Sequence, residues 1–309
     1  MYASAIFGRV CLRSPLFAVA LLGAILPLRA LDGTASKPQL KAADLSVRWQ
    51  PRIPVNGSPV VLQVTSPERL KSLSGKWLTH EVRFSSDSHG KVWYGFAGAS
   101  LETRPGNYLL ELKGVTSAGE VVALQKTIRV GKGKYHSIVV RVPKQYTEPN
   151  AEQLQKINQD KTLKERAFAQ ITPEREWAGS FYPPVKAQIS DVFGTSRTFN
   201  GKVQGVHQGL DYAVPEGTAV AALNNGTVLL AQPLFFEGNC VVIDHGQGLL
   251  TLYMHLSKIE VKEGDQVTRG QKLGLSGGTG RATGPHLHVA VRWQGVYLNP
   301  ATLLSLKLP

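Results

Sequence analysis

Five of the eight histidines in this 309-residue chain fall between His207 and His288. Four of them stand in three settings that could do chemistry: His207-Gln-Gly-Leu-Asp211, Tyr253-Met254-His255 and His286-Leu287-His288. Two imidazoles and a carboxylate close three corners of a zinc tetrahedron and leave the fourth open to water, which is the plan of a catalytic rather than a structural zinc site. The imidazoles left over are then free to move protons beside the metal. No glutamate stands as in a helical His-Glu-x-x-His motif, so a histidine is the economical base.

The elements that carry these residues must bring them together. An i,i+4 pair such as His207 and Asp211 shares one face of a helix, but Gly209, Pro215 and Gly217 argue against a helix here. Fully extended, four residues span about 13 Å, too far to share one ion, so the chain is expected to bend near Gly209. His286 and His288 alternate on a strand, which puts both rings on one face about 7 Å apart. Val289-Ala290-Val291 continues that strand. Spacing alone allows either His286 or His288 on the metal. The loop Gly277 to Pro285 lacks the Gly-Lys-Ser/Thr ending of a phosphate loop, which excludes nucleotide binding there. Its glycines suit close passage of the backbone past a bound peptide.

The rest of the chain reads as scaffold. Length suits two domains with connectors, and 31 glycines and 18 prolines favour β structure over helical bundles. Arg9 and Arg13 precede the apolar run Leu16 to Leu28, so residues 1–30 are expected to be a secretory signal peptide rather than an anchor. Residues 31–44 read as a flexible leader. Short apolar segments between turns over 45–143, about seven in all, imply an immunoglobulin-like β-sandwich closed by Ser137 to Val142. A helical connector is expected within 144–178, capped by Asn150 and carrying Leu154, Ile157 and Phe168 on a sticky face. Residues 179–309 are strand-rich and hold the histidine motifs. The fold class is therefore mainly β.

These motifs resemble the M23 zinc endopeptidases, the LytM or lysostaphin-type peptidoglycan hydrolases. The resemblance covers roughly residues 189–304, through Asp191-Val192-Phe193-Gly194, His207 to Asp211, Asp244-His245-Gly246, Tyr253-Met254-His255 and Gly284-Pro285-His286-Leu287-His288. It implies zinc (Zn2+) held by His207, Asp211 and His288, with His255 and His286 as the non-ligand catalytic pair; their division of labour stays open. The substrate implied is the peptide cross-links of bacterial peptidoglycan, either glycine bridges or links between D-alanine and a diamino acid. The absence of an SH3-like wall-binding segment favours the latter, in a Gram-negative periplasm. A non-catalytic wall-binding or regulatory module on the same fold is the alternative, opposed by retention of all five residues. His245 is expected to be a structural hydrogen bonder in a turn.

Export and charge agree with that substrate. The signal segment carries three arginines (Arg9, Arg13, Arg29) and no acid, so the formal charge of +13 becomes +10 after processing. An exported cation suits an anionic wall polymer, and export removes nucleic acid from reach. No stable membrane anchor is expected once the signal is cleaved. Of the two cysteines only Cys240 remains, flanked by Val241-Val242-Ile243, and reads as a buried strand thiol. The hairpin Val261 to Gln271 is like those of biotinyl and lipoyl carriers but has no lysine beside methionine, so no such cofactor is assigned.

Overall fold

Alternating strands flank near-continuously buried ones, Pro59–Thr65 and Val92–Gly98, in the first half of the protein. In Gly106–Thr116 the side chains of Leu110 and Leu112 are buried while Leu109, Glu111 and Lys113 face outward, the period of a half-buried strand. The computed structural model describes residues 41–42 and 45–308; the signal segment and most of the leader lie outside the described residues. Eight strands pair in the order Lys41–Ala42, Val121–Val130, Gly106–Thr116, Leu70–Trp77, His80–Ser86, Val92–Gly98, Pro59–Thr65 and Ser46–Gln50. His80–Ser86 pairs with Leu70–Trp77 through His80 to Arg83, then with Val92–Gly98 through Phe84 to Ser86. It thus passes from one half of the ladder to the other.

Ser137–Val140 does not close that series. It runs parallel to Ser196–Phe199, which pairs antiparallel with Val203–Val206. Its first three side chains, Ser137, Ile138 and Val139, are exposed rather than packed into the core of the preceding strands.

The expected helix forms as Ala151–Ala169. Asn150 and Gln153 exchange backbone-to-side-chain hydrogen bonds of 2.9 Å each, a capping box that satisfies two otherwise orphaned donors. Its buried stripe overlaps the expected one at Phe168, which packs on the core, and at half-buried Ile157. Asp160, Leu163, Lys164 and Ala167, spaced i, i+3, i+4, i+7, face the protein, whereas Leu154 is 48% exposed. The stripe meets a sheet whose strand order is Gln188–Asp191, Gly209–Ala213, Leu287–Trp293, Leu249–Leu256, Gly238–Asp244, Gly226–Leu234 and Gln266–Val267.

Both faces of this sheet are used. On one face Leu210, Tyr212, Tyr253, Leu287, Val289 and Val291 join a core continuous with the N-terminal strands. The contact is tight: a Cβ at Gly98 would strike Leu298, and Asn299 N–H donates to Gly57 O at 2.8 Å. On the other face Cys240, Val242, Leu250, Leu252 and Ala290 lie with Ala167, Leu163 and Phe168 of the helix. Alternation puts Asp211 and His288 on that second face, beside the helix. A fragment starting near Ile171 would lack this cover.

Buried Asp160 ties the helix to the loop after Gly226–Leu234, accepting from Phe235 N–H at 2.6 Å. Asp160→Ala strands that donor and is expected to lower unfolding free energy by about 1–3 kcal/mol, measured by urea titration.

Candidate metal centre

The sheet register sets the site. Asp211 stands opposite His288 across Gly209–Ala213 and Leu287–Trp293, and His288 stands opposite Met254 on its other side. His207 stands at the break in strand structure at 207–208, where the chain passes from Val203–Val206 of one sheet to Gly209–Ala213 of another. His288 Nδ1 lies 2.7 Å from Asp211 Oδ1 and 3.0 Å from His207 Nε2, and His207 Nε2 is 3.1 Å from the same oxygen. Only glycine fits at 209, since a Cβ there would collide with His288 Nε2 and Val289 O.

Tautomers follow from the carbonyls. His207 Nδ1–H donates to Val192 O at 2.8 Å, so Nε2 presents a lone pair to the cluster. All three ligand-type atoms lie within 4.8 Å of one another, and all three residues are buried. Burial opposes ionisation of Asp211, but hydrogen bonds and charge from His207 and His288 outweigh it and hold the carboxyl well below its usual range. Burial pushes the His288 imidazole down despite Asp211. Converging nitrogen atoms of two imidazoles and a carboxylate oxygen fit a borderline cation such as zinc and leave room for a fourth ligand.

His255 and His286 complete the group. Their rings stand 4.7 Å apart, and His255 is 6.0 Å from His288. Regular alternation would put Met254 in the cleft and send His255 to the opposite face with Tyr253. Instead His255 has φ 62°, a left-handed conformation uncommon for a side-chain-bearing residue, and its side chain lines the cleft with Met254. Its Nδ1–H donates to Thr279 O, and His286 Nδ1–H to Gly284 O, each at 2.8 Å. Both rings therefore carry a free Nε2. Burial, and then His288 and His286 nearby, lower the pKa of His255 to about 3.

The cleft is roughly 730 Å³, and its walls come from unexpected places. Ile138, Val140 and Val142 line it, as do Phe199 and Phe236. Part of the glycine-rich loop packs on the protein's own backbone, Gly280 against Gly238 and Gly277 against Ser257, while Thr283, Gly284 and Pro285 line the cleft. Sequence reasoning also missed Arg197, which donates to Asp211 Oδ2 at 2.6 Å and pairs with Asp191. Asp191 belongs to a recognisable motif; Arg197 follows no spacing rule and is found only through the 196–206 hairpin.

The sequence profile of peptidase family M23 matches residues 205–300. A crystal structure of a peptidase M23 from Pseudomonas aeruginosa is 30% identical, with a TM-score of 0.61, and the likeness covers 81% of this chain and 95% of that one. The chain belongs to peptidase family M23. The M23 relatives include the Vibrio cholerae peptidoglycan DD-endopeptidase ShyA, 35% identical over 179 residues, which are 58% of this chain and 36% of ShyA. ShyB of the same organism is 43% identical over 120 residues, covering 38% of this chain and 28% of ShyB. The chain thus spans about a third of the length of these curated relatives. The M23 profile contains all five clustered residues as well as His245.

His245 is kept apart from the cluster. It is fully buried; its Nδ1–H donates to Asn225 O at 2.6 Å, and its Nε2 lies 2.7 Å from Thr251 Oγ1. Burial lowers its pKa from 6.5 to about 4. Unfolded chain binds this proton below about 6.5 and folded protein only near 4, so its contribution is intact above that window and lost as pH falls through it. Stability should drop between pH 7 and pH 5 by on the order of 2 kcal/mol from this group. His245→Gln should shrink that difference in urea titrations at the two pH values.

Proposed function

We propose that this protein is an exported zinc-dependent endopeptidase that hydrolyses peptide cross-links of bacterial peptidoglycan, acting in the periplasm. The observation that carries the reading is the convergence of five side chains, distant in sequence, on one cleft. Three offer ligand atoms within 4.8 Å of one another, and two more present imidazole Nε2 atoms beside them. Family membership and the printed activity of ShyA, a DD-endopeptidase, support the substrate class. Passage of His80–Ser86 between two halves of one ladder supports an immunoglobulin-like sandwich at the N-terminal end, with 144–178 as connector and 179–309 as the peptidase region.

In this reading His207, Asp211 and His288 hold zinc. Bound zinc supplies Lewis acidity and brings the pKa of a water to about 7. Amide hydrolysis also requires a water to lose a proton, the carbonyl oxygen to be stabilised, and the leaving amine to gain a proton. His255 and His286 are placed for those tasks. The carbonyls of Thr279 and Gly284 hold the Nδ1–H of each ring, so each Nε2 arrives as an acceptor and, once protonated, becomes a donor. Arg197 occupies Asp211 Oδ2 and leaves Oδ1 turned to the histidines.

Incubation with purified peptidoglycan, with and without a chelator, followed by mass spectrometry of the soluble fragments, tests the reading. Cross-link cleavage that disappears with chelation and returns with zinc is expected; absence of new peptide ends overturns it. Alanine at His207, Asp211 or His288 should sharply reduce bound zinc in equilibrium dialysis, and full occupancy in all three variants rejects the ligand set. His255→Ala and His286→Ala should keep their zinc and lose about 10²-fold or more in turnover. Wild-type turnover in either variant removes that residue from catalysis.

A further inference from the structure

Three cationic side chains line the cleft: Lys164, Arg197 and Arg281. Two are committed to acids. Lys164 pairs with Glu237, and Arg197 with Asp191 and Asp211. The Arg281 guanidinium forms no hydrogen bond or close ion pair with any described residue; Glu237, already paired with Lys164, favours its charge only from farther off. It is held instead between rings, 4.5 Å from the centroid of Phe199 and 4.7 Å from that of Phe236, and its backbone N–H donates to Phe236 O at 2.8 Å. Aromatic faces attract the charge but do not accept five in-plane N–H donors. A partly buried guanidinium with its fork unmatched, in a cleft where the other cations are paired, is built for a planar anion from outside.

Its position ties that anion to the reacting groups. Arg281 lies on the loop whose Thr279 O orients His255 and whose Gly284 O orients His286. Gly280 and Gly238 pack backbone to backbone just before it, so the loop has little freedom to carry the cation away. We propose that Arg281 binds a free carboxylate of the peptide substrate and makes the enzyme selective for cross-linked peptides with an unamidated carboxylate near the scissile amide. The assignment rests on the endopeptidase reading for the nature of the ligand. A polyglycine bridge offers no side-chain carboxylate, so it would be a poor occupant.

The test compares a soluble cross-linked muropeptide dimer with free carboxylates against the same dimer with those carboxylates amidated. Fluorescence-anisotropy competition measures binding to zinc-loaded wild type, Arg281→Gln and Arg281→Lys, with thermal unfolding as a check that the stacked stem still packs. Wild type should prefer the acid by about 10- to 100-fold, the range of one charge-assisted pair. Arg281→Gln should abolish the preference while leaving amide binding in place, and Arg281→Lys should restore part of it. Equal wild-type affinity for acid and amide, equal loss for both in Arg281→Gln, or no binding to either peptide overturns the proposal. Cleavage is read separately: binding with the expected preference but no hydrolysis would remove the endopeptidase reading and leave the carboxylate site standing.

Discussion

Asp211 and His288 face each other across an antiparallel ladder although 77 residues separate them, and the rest of the site is arranged around that pairing. Register is unforgiving here, because a slip of one residue would turn both side chains to the opposite face of the sheet. What locks it is the apolar face behind. Leu210, Tyr212, Leu287 and Val289 alternate with the polar pair and are buried in the larger core. The site therefore draws its precision from packing on the side where no chemistry happens.

Placing a carboxylate and two imidazoles in a dry environment is costly unless each polar atom has a partner. The protein solves this by dividing Asp211 between two duties. Oδ1 meets His207 and His288, while Oδ2 is taken by Arg197, itself neutralised further by Asp191. Backbone carbonyls hold the far nitrogens of His207, His255 and His286. Each ring thus has one nitrogen fixed by the main chain and the other turned to the cleft, a recurrent way of defining tautomer and orientation around metals.

Much of this was legible in sequence. Residue type and spacing pointed to the five clustered side chains, the alternating segments to strands, and Asn150 to the helix start. The misses have physical causes. The type of His255 is visible in the sequence, but the left-handed backbone that turns it into the cleft is not, since no period-2 pattern reveals it. The helix buries Asp160 and Lys164 rather than Leu154, since polar partners at Phe235 N and Glu237 await those side chains and hydrophobicity alone does not show them. Gly277 and Gly280 of the loop before His286 answer to backbone neighbours at Ser257 and Gly238. Arg197 and Arg281 are ordinary surface residues by type, and tertiary contacts alone distinguish the paired cation from the unpaired one.

The helix Ala151–Ala169 and the strand Ser137–Val140 precede every motif of the peptidase, yet one roofs its sheet and the other walls its cleft. Recombination that exchanged the peptidase at the seam suggested by its motifs would hand the recipient a bare hydrophobic sheet face and a trough with one bank missing. Viable shuffling of this protein would have to carry those two upstream pieces along. The unit that must fold together is therefore longer than the one that carries the motifs, and it reaches back to the strand at Ser137–Val140.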